Sequence, residues 1–520
     1  MKKIFALLLV LFLMLPLIFA CGKKGEPEDE SSSESSSETS TATESSSKKP
    51  AHTGDIRDRN DYIDTKTEDL DTWEGKTLNI LATKWHSDLA PLAPWAVAEL
   101  CATEKDGDGG GYGKIINNAI LERNQLVLDT YGVTLNWIEA PAGILSLLNV
   151  ESTTPNSDYH IAYPRMFEAQ TLVMNGVVLD MSLSKYIDFR KDYFNQMSYE
   201  SYTIADHTFF VSGDFSFLDE QTSFMIFFNK ILAAENADFP DVYKMVRNGT
   251  WTADAMYDLA AAVGADADGN GVWDDNDIYG FSTTAFDRFF QYFGIQQVSV
   301  DKDTQEYYVS LNDDRVSSVI DSIIYCMNST WSTSSLKNAS QVFVNNRLLF
   351  YNQAFQTIDH FGGQYKEGVF EFGLLPFPKL NEGDDYYTPV SYQSCLICIP
   401  KSAYWADGGK LMAEYFVDVL SWTGEEYIMG AYLRNIEPTL ADPDSIEMLE
   451  EYIFPNMMYD QGYMYSWDGL LTKNVQIASY SNGTNKFEEN YAQNEFAAMT
   501  TVADWNTAWG GYDEDDYKNP

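Results

Sequence analysis

The residues from 266 to 277 have the types and the spacing of a calcium-binding loop. In such a loop, oxygen atoms at positions 1, 3, 5, 7, 9 and 12 surround the ion, and glycine at position 6 allows the sharp turn. This stretch offers a side-chain oxygen or, at position 7, a carbonyl from Asp266, Asp268, Asn270, Val272, Asp274 and Asp277. Position 12 carries Asp where Glu is usual, and the alternative is a turn whose polar groups only face water. We predict a calcium ion in this loop and no cofactor that the protein requires.

The elements around this loop decide what calcium could do there. The pattern over residues 253–263 predicts a helix before the loop, whereas residues 278–281 predict a strand after it. A calcium switch moves two helices that flank its loop. This loop is therefore expected to hold its ion for stability and not for switching.

Cys395 and Cys398 have the spacing of a redox or metal-binding pair. They lie in an apolar stretch, residues 391–399, that predicts a buried strand, and residues three apart on a strand point to opposite faces. We therefore predict that both thiols pack in the core. Together with Cys101 and Cys326 they are too few for a disulfide framework in a chain of 520 residues.

The sequence lacks the common catalytic motifs. It contains no G-x-S-x-G and no H-E-x-x-H, and its five histidines show no metal-ligand spacing. A catalytic carboxylate pair stays open among the 78 acidic residues, because a glycosidase needs only a pair that the fold brings together. We predict a protein without enzymatic activity.

The charge and the aromatic content restrict the partners. The net charge of −44 comes from 78 acidic against 34 basic residues, so phosphate backbones are repelled and nucleic acid is excluded as a partner. The chain has 33 Tyr, 30 Phe and 12 Trp, more rings than a core of this size needs. Such rings often line sites where they stack on a ligand.

The first residues have the pattern of an export signal. Two lysines precede an apolar run, and we assign residues 1–20 to a signal peptide. The run ends Leu-Ile-Phe-Ala-Cys, which resembles the bacterial lipobox apart from Phe19. The resemblance implies cleavage before Cys21 and a diacylglycerol on its thiol, and the alternative is an ordinary signal peptide with a chance cysteine. Residues 21–69, rich in Ser and Glu, predict a disordered tether.

Strands and helices alternate along the rest of the chain. The patterns predict strands at 78–82, 133–138, 160–163, 224–228 and 348–351, and helices at 114–131, 253–263 and 317–327. This alternation predicts an α/β protein with doubly wound, mostly parallel sheets. Residues 203–217 indicate an extended crossing between the two halves.

Several stretches make the chain similar to the extracellular solute-binding proteins of ABC transporters, the large sugar-binding type of Gram-positive bacteria. They are Leu78–Ala82, Glu122–Asn124, Tyr131–Val133, Phe227–Lys230, Asn248–Thr252, Phe343–Phe350, Leu375–Lys379 and Tyr459–Gly462. Their order and spacing behind a lipobox carry the resemblance. It implies a two-lobed, periplasmic-binding-protein-like fold in which the ligand is held between lobes that are discontinuous in sequence. We place lobe one at 70–212 plus 369–435, and lobe two at 213–368 plus 436–520.

Ligands of doubly wound sheets bind beyond the carboxyl ends of the strands. The side chains expected there could stack on a sugar or donate hydrogen bonds to it. They are Trp85, Tyr163, Arg165, Phe286, Gln353, Tyr392 and Trp467. For each of them, burial in the core is the alternative.

The resemblance implies the substrate-binding component of an ABC importer. Such a protein captures a carbohydrate, here expected to be an oligosaccharide, and delivers it to permease subunits in the membrane. We expect a monomer on the extracellular face of the cytoplasmic membrane, anchored in the lipid through Cys21. The alternatives are a surface lipoprotein that holds glycans without transport and an oligopeptide-binding protein.

Overall fold

The computed structural model describes residues 61–67, 73–83, 102, 113–140, 143–153, 158–311, 315–440, 442–466 and 470–513. The strands are β1 Thr77–Thr83, β2 Thr134–Ala140, β3 Ile161–Tyr163, β4 Val178–Leu179, β5 Thr203–Ile204, β6 His207–Thr208, β7 Phe224–Asn229, β8 Tyr279–Thr283, β9 Val298–Val300, β10 Tyr307–Val309, β11 Ser332–Thr333, β12 Leu348–Ala354, β13 Phe372–Leu375, β14 Thr388–Pro389, β15 Ile399–Pro400 and β16 Met457–Met458. These strands belong to two principal sheets and several two-stranded pairs.

Helices surround the sheets and dominate the last third of the described chain. They are α1 Lys114–Tyr131, α2 Ile144–Glu151, α3 Ala169–Met174, α4 Gln196–Ser201, α5 Leu218–Thr222, α6 Lys230–Ala234, α7 Val242–Arg247, α8 Ala253–Val263, α9 Phe289–Tyr292, α10 Arg315–Asn328, α11 Ala339–Val344, α12 Ile358–Gly362, α13 Gly409–Thr423, α14 Gly430–Ile436, α15 Pro443–Glu447, α16 Gln461–Ser466, α17 Ala478–Tyr480 and α18 Phe487–Gly510. π-Helical segments cover Gly424–Met429, Met448–Ile453 and Leu470–Ile477. Within the part of the chain that the structure describes, none of the helices has the length and apolar character needed to span a bilayer.

The first sheet has the strand order β2-β1-β3, and all its pairings are parallel. The central strand β1 is apolar on both faces, and Leu78, Ile80 and Leu81 are fully buried. A fully buried strand of this kind is typical of parallel sheets covered by helices. Further along the chain, Cys398 forms an antiparallel bridge with Ala162 of β3, which extends the sheet.

Helix α1 begins and ends where the sequence predicts. Gly132 ends it in the left-handed conformation, with φ 67°, and its N–H bonds the carbonyl of Leu128. A Cβ at position 132 would lie 2.8 Å from the Cα of Glu74, so glycine is required both for the conformation and for the close approach. The turn at Gly132 leads the chain directly into β2, beside β1.

The second sheet has the order β11-β8-β12-β7-β13 and is mixed. β8 runs parallel to β11 and β12, whereas β7 runs antiparallel to β12 and to β13. The sequence predicts mostly parallel strands and does not reveal the direction of β7. Phe224 at the start of β7 pairs with Ala354 at the end of β12, because the chain enters β7 from the edge at which β12 ends.

Two segments connect the sheets. The outgoing segment, residues 211–223, starts where Val211 bridges Ile397 beside the first sheet and ends at β7. The return segment, residues 388–398, starts in β14 and ends in the bridge from Cys398 to β3. A Cβ at Gly213 would lie 2.2 Å from the carbonyl oxygen of Tyr193, so only glycine permits this packing. The lobe limits given above stay predictions.

The cysteines pack as the sequence predicts. Cys395 and Cys398 are both buried thiols, and their side chains belong to different hydrophobic clusters on either side of the first sheet. Cys326 is also buried and free, and burial raises the pKa of its thiol to about 12. Such thiols are poor nucleophiles and poor ligands. Cys101 lies outside the described residues.

Asp418 fastens the start of the described chain to helix α13. The carboxylate is fully buried and accepts hydrogen bonds from the hydroxyls of Thr65, at 2.7 Å, and Tyr193, at 2.8 Å. The carbonyl of Thr65 in turn accepts a bond of 2.8 Å from the hydroxyl of Tyr415. Burial raises the pKa of Asp418 to about 6.

The Asp418→Asn variant should therefore change how stability depends on pH. Because the pKa of Asp418 in the folded state lies above its value in the unfolded state, the folded protein binds this proton more tightly. The free energy of unfolding therefore falls as the pH rises through the folded-state pKa of about 6. The wild type should lose about 1 kcal/mol relative to the variant between about pH 5 and about pH 8. Urea unfolding of both proteins across this range measures the difference, and a difference that is constant with pH would contradict the assignment.

Candidate functional site

An aromatic row lies where the carboxyl ends of β3 and β8 and the return segment meet. The row consists of Phe167, Tyr392 and Tyr463, with ring centroids 6.1 Å and 6.0 Å apart. Phe167 follows β3, Tyr392 belongs to the return segment, and Tyr463 lies on α16. Phe167 and Tyr392 are half-buried, so the row keeps an accessible side.

Two arginines flank the aromatic row. The guanidinium of Arg165, after β3, lies 5.7 Å from the ring centroid of Phe167. The guanidinium of Arg288, after β8, lies 4.0 Å from the ring centroid of Phe224 and 5.6 Å from that of Tyr463. Each arginine is only 8% exposed. The two cations thus reach the row from the ends of strands in different sheets.

The environments of these two arginines differ. Arg288 forms an ion pair of 3.3 Å with Asp287, whose second oxygen accepts a 3.2 Å bond from the hydroxyl of Tyr463. Burial is the largest influence and acts to lower the pKa of Arg288, but the charge of Asp287 and the phenols of Tyr463, Tyr292 and Tyr392 together outweigh it, and the pKa is raised. Burial lowers the pKa of Arg165, against the charge of Glu168. Arg288 is therefore fixed by its neighbours in a charged form.

Polar atoms without a protein partner collect around the row. Within the described residues, no hydrogen bond is made by Nε of Arg288, Oε1 of Gln393 or Oγ of Ser394, although all three atoms are buried. Buried polar groups are nearly always hydrogen-bonded, so such atoms call for water or a ligand. A polyhydroxylated molecule stacked on the row could satisfy both donors and acceptors.

The structure brings some of the predicted ligand residues to this row. Tyr392 belongs to the row, and Arg165 flanks it. Tyr163 instead packs in the core with 2% of its surface exposed, its ring 4.7 Å from that of Phe215 and 5.8 Å from that of Trp137. This placement favours a packing role for Tyr163.

The predicted residues of the second sheet lie at its carboxyl edge. Phe286 is half-buried and stacks on Phe289, with centroids 5.3 Å apart. Gln353, near the end of β12, is half-buried and donates a 3.1 Å bond to the hydroxyl of Tyr351. Both lie at the edge where β8 and β12 end, as predicted from the strand pattern. Trp85 and Trp467 lie outside the described residues.

Phe224, Asp287, Arg288 and Tyr463 belong to the site but were not predicted from the sequence. Asp287 and Arg288 directly follow Phe286, so their position after β8 could have predicted that they lie at the site. Tyr463 directly follows Tyr459–Gly462, one of the stretches that carry the family resemblance. Phe224 could not be predicted as a site residue, because it begins a strand and ligands are expected beyond strand ends. Only the antiparallel direction of β7 brings it to this edge.

Asp460 is the hub that holds α16 in place. Its buried carboxylate accepts bonds from the side chain of Gln291 at 2.6 Å and from the backbone N–H groups of Gln297, Val298 and Gly462 at 2.9, 3.3 and 3.0 Å. Burial raises the pKa of Asp460, and these donors oppose the shift. Tyr463 lies on the helix that this hub fixes. Tyr459–Gly462 therefore positions the site and does not line it.

The loop at 266–277 folds as a closed hairpin. An antiparallel bridge between Ala265 and Ile278 closes its ends, and Gly271 turns it with φ 75°. The strand β8 follows, as the sequence predicts, where a switch would have a second helix. The loop is therefore a single, unpaired unit.

Carboxylate oxygens of Asp266, Asp268 and Asp277 lie within 4.8 Å of one another. Asp277 is fully buried and accepts bonds from the backbone N–H groups of Ala267, at 2.9 Å, and Asp274, at 2.7 Å. Like charges this close repel one another. These three carboxylates fit a hard divalent cation.

The other predicted calcium ligands lie outside this carboxylate group. Asp274 is exposed, and its Oδ1 accepts a 2.8 Å bond from the N–H of Asn276. Oδ1 of Asn270 accepts a 2.6 Å bond from the N–H of Val272. An ion would therefore compete with bonds that the loop makes to itself.

No family model matches the chain, and no curated protein matches it in sequence. Its fold does match solved structures. The sugar-binding protein MalE from the phytopathogen Xanthomonas citri aligns with a TM-score of 0.54 at 11% identity, over 82% of this chain and 97% of that one. An ABC substrate-binding protein from Listeria monocytogenes, solved in complex with cycloalternan, aligns with a TM-score of 0.50 at 13% identity, over 82% and 99%. This likeness confirms the predicted two-lobed α/β fold.

Proposed function

We propose that the chain is the substrate-binding component of an ABC importer and that its ligand is a carbohydrate, most simply an oligosaccharide. The observation that carries the proposal is the aromatic row with its two flanking arginines. Rings stack on the faces of sugars, and charged donors bind their hydroxyls strongly. The solved structures with this fold include a sugar-binding protein and a substrate-binding protein with a bound cycloalternan, which supports the same ligand class.

The mechanism follows from the position of the row between the sheets. Tyr392 lies in the return segment, while Arg165 and Arg288 come from the first and second sheet respectively. A ligand that contacts all three binds the closed arrangement of the lobes better than an open one, and so shifts the population toward it. The closed form would then dock on membrane permease subunits. The protein would act as a monomer and catalyse no reaction.

A thermal-shift screen tests the ligand class. A ligand that binds only the folded state must raise the melting temperature. The purified mature protein should respond to at least one of a set of short malto-, cello- and xylo-oligosaccharides, and not to mixed peptides. A response to peptides alone would favour an oligopeptide-binding protein. Binding of long polysaccharide without any short sugar would favour a glycan-adhesion lipoprotein.

Trp85 is proposed as a further ring in this site. The ground for this proposal is its place in the sequence, two residues after β1, because ligands of doubly wound sheets bind beyond the carboxyl ends of the strands. The Trp85→Ala variant should weaken carbohydrate binding by roughly 1–3 kcal/mol, the range for burying a large apolar side chain. Calorimetry measures the affinity, and the melting temperature without ligand should hardly change.

Trp73 provides the contrasting control. It is 4% exposed and packs edge-on against Tyr415 at 4.9 Å. The Trp73→Ala variant should lose stability through the cavity it leaves. If Trp85→Ala lowers the melting temperature to a similar extent, Trp85 is a core residue and not a ligand contact.

The lipid anchor is a separate proposal that depends on Cys21. Acylation of this thiol after cleavage of the signal peptide would hold the protein on the outer face of the cytoplasmic membrane. The polar residues that follow Cys21 would act as the tether between the lipid and the folded region, to which Thr65 already belongs through its bonds to Asp418 and Tyr415. The expected composition of such a tether, polar and low in apolar side chains, is present there.

Calcium is proposed as a structural ion in the 266–277 loop. A bound cation would remove the repulsion among Asp266, Asp268 and Asp277, and stability should rise with the logarithm of free calcium. The melting temperature of the wild type should therefore be higher in millimolar calcium than in chelator. The Asp266→Ala variant should lose this dependence and keep its carbohydrate affinity.

Asp303 offers a matched control for this test. It is exposed in another Asp-containing turn, where its N–H bonds the carboxylate of Asp301. The Asp303→Ala variant should respond to calcium as the wild type does. If the wild type melts at the same temperature in both buffers and elemental analysis finds no metal, the 266–277 loop is a turn whose polar groups only face water.

A further inference from the structure

A pair of neighbouring carboxyls lies buried where the two connecting segments meet. Asp219 and Glu220 are on α5, in the outgoing segment, and are 2% and 4% exposed. Oδ2 of Asp219 accepts a bond of 2.7 Å from the hydroxyl of Ser212, earlier in the same segment. It also accepts a bond of 3.0 Å from the hydroxyl of Tyr459.

Tyr459 connects this pair to the return segment. It directly follows β16, and β16 pairs in parallel with β14 at the start of the return segment. A second contact joins the two segments, since the thiol of Cys395 lies 3.4 Å from the hydroxyl of Ser216. Asp219 is therefore a point at which the outgoing segment is fastened to the strands that bring the chain back.

One oxygen of the Glu220 carboxyl makes none of the bonds that an ionised carboxylate needs. This atom, Oε2, is buried and has no hydrogen-bond partner among the described residues. Burial, together with the charge and the carboxyl of Asp219, raises the pKa of Glu220 well above its usual value. A buried carboxylate without such bonds is costly, so the group is stable in the neutral form.

The titratable groups that face the pair make ionisation harder still. In the described part of the chain these are Asp214 of the outgoing segment and the phenol of Tyr459. Asp214 is in turn influenced by Glu425 of the π-helical segment after α13 and by Asp192. All these groups are acidic. A second negative charge on the pair would therefore meet only repulsion from them.

We propose that Glu220 is held protonated beside Asp219, and that this proton keeps the outgoing segment fastened to the return segment. When the proton is lost, two adjacent buried charges repel each other, and Asp219 can no longer hold Ser212 and Tyr459 together. The segments that bend when the lobes close are then loosened. The pair makes the hinge of the proposed binding protein sensitive to alkaline conditions. This inference rests on the proposed function in one respect, namely that the two segments act as a hinge.

The Glu220→Gln variant tests the proton on Glu220. Glutamine has nearly the same shape and cannot ionise, and Asp214 is present in both proteins, so the comparison isolates Glu220. While the unfolded chain is ionised and the folded protein still holds the proton, the unfolding constant of the wild type should rise relative to that of the variant by about tenfold per pH unit. Denaturant unfolding of the mature protein from about pH 6 to about pH 8 measures this slope. A ratio that does not change with pH overturns the proposal.

Hydrogen exchange tests the fastening of the segments. At about pH 8.5, peptides covering residues 211–223 and 457–463 should exchange faster in the wild type than in the Glu220→Gln variant, and at about pH 6 the two proteins should be alike. Equal exchange at the higher pH overturns the proposal. If the variant does not fold, Asp219→Asn keeps an acceptor for Ser212 and Tyr459 and removes one charge, and it should slow the exchange at high pH. Neither measurement needs a ligand, so a failure of carbohydrate binding would leave this result unchanged.

Discussion

The Asp460→Ala variant is expected to lose about 3 kcal/mol or more of its free energy of unfolding. The substitution removes the acceptor of four hydrogen bonds at once, three of them from backbone N–H groups. Gly462 adds to the cost, because a Cβ there would lie 2.6 Å from Cβ of Gln297, so the chain is packed too closely to rearrange. Denaturant unfolding measures the loss.

Two further variants show whether the loss comes from the hub. Asp460→Asn keeps one acceptor oxygen and should lose less than Asp460→Ala. Asp504→Ala, at an exposed position on α18, should be neutral. If the protein tolerates Asp460→Ala as well as Asp504→Ala, then Asp460 does not organise α16, and the position of Tyr463 in the site needs another cause.

Replacing Cys21 by alanine is expected to release nearly all the protein from the membrane fraction. A diacylglycerol supplies two acyl chains, and two chains give stable attachment where one gives only reversible binding. The folded region should be unaffected, because residue 21 lies far along the chain from the first described strand. Cell fractionation followed by immunoblotting measures the distribution.

Cys326→Ala provides the control for this experiment. Its thiol is buried and free in the core, so its removal should leave membrane retention as it is in the wild type. Retention of the Cys21→Ala protein in the membrane fraction would contradict the lipobox assignment.

Much of the fold follows from local patterns in the sequence. The apolar face predicts helix α1 and Gly132 predicts its end, and the period of a strand places Cys395 and Cys398 on opposite faces. These features depend on residues that are near one another along the chain. Local physical chemistry is enough to predict them.

The rest depends on contacts between distant residues. The direction of β7 is set by the route of the outgoing segment, which no local pattern encodes. Tyr163 follows the rule for strand ends, yet the rings of Trp137 and Phe215 enclose it. Arg288 lies beside the aromatic row through Tyr463, a residue far along the chain on the helix that Asp460 holds. Sequence reasoning could name the edges of the sheets and two of the side chains that converge between them, Arg165 and Tyr392, but not Phe167, Arg288 or Tyr463.

Isothermal titration calorimetry with short oligosaccharides tests the central claim most directly. The mature protein should bind one molecule of at least one such carbohydrate per chain, and Tyr392→Ala should weaken that binding by about tenfold or more, because it removes the middle ring of the aromatic row. Absence of binding to every carbohydrate tested, or binding that Tyr392→Ala leaves unchanged, would contradict a carbohydrate site at this row.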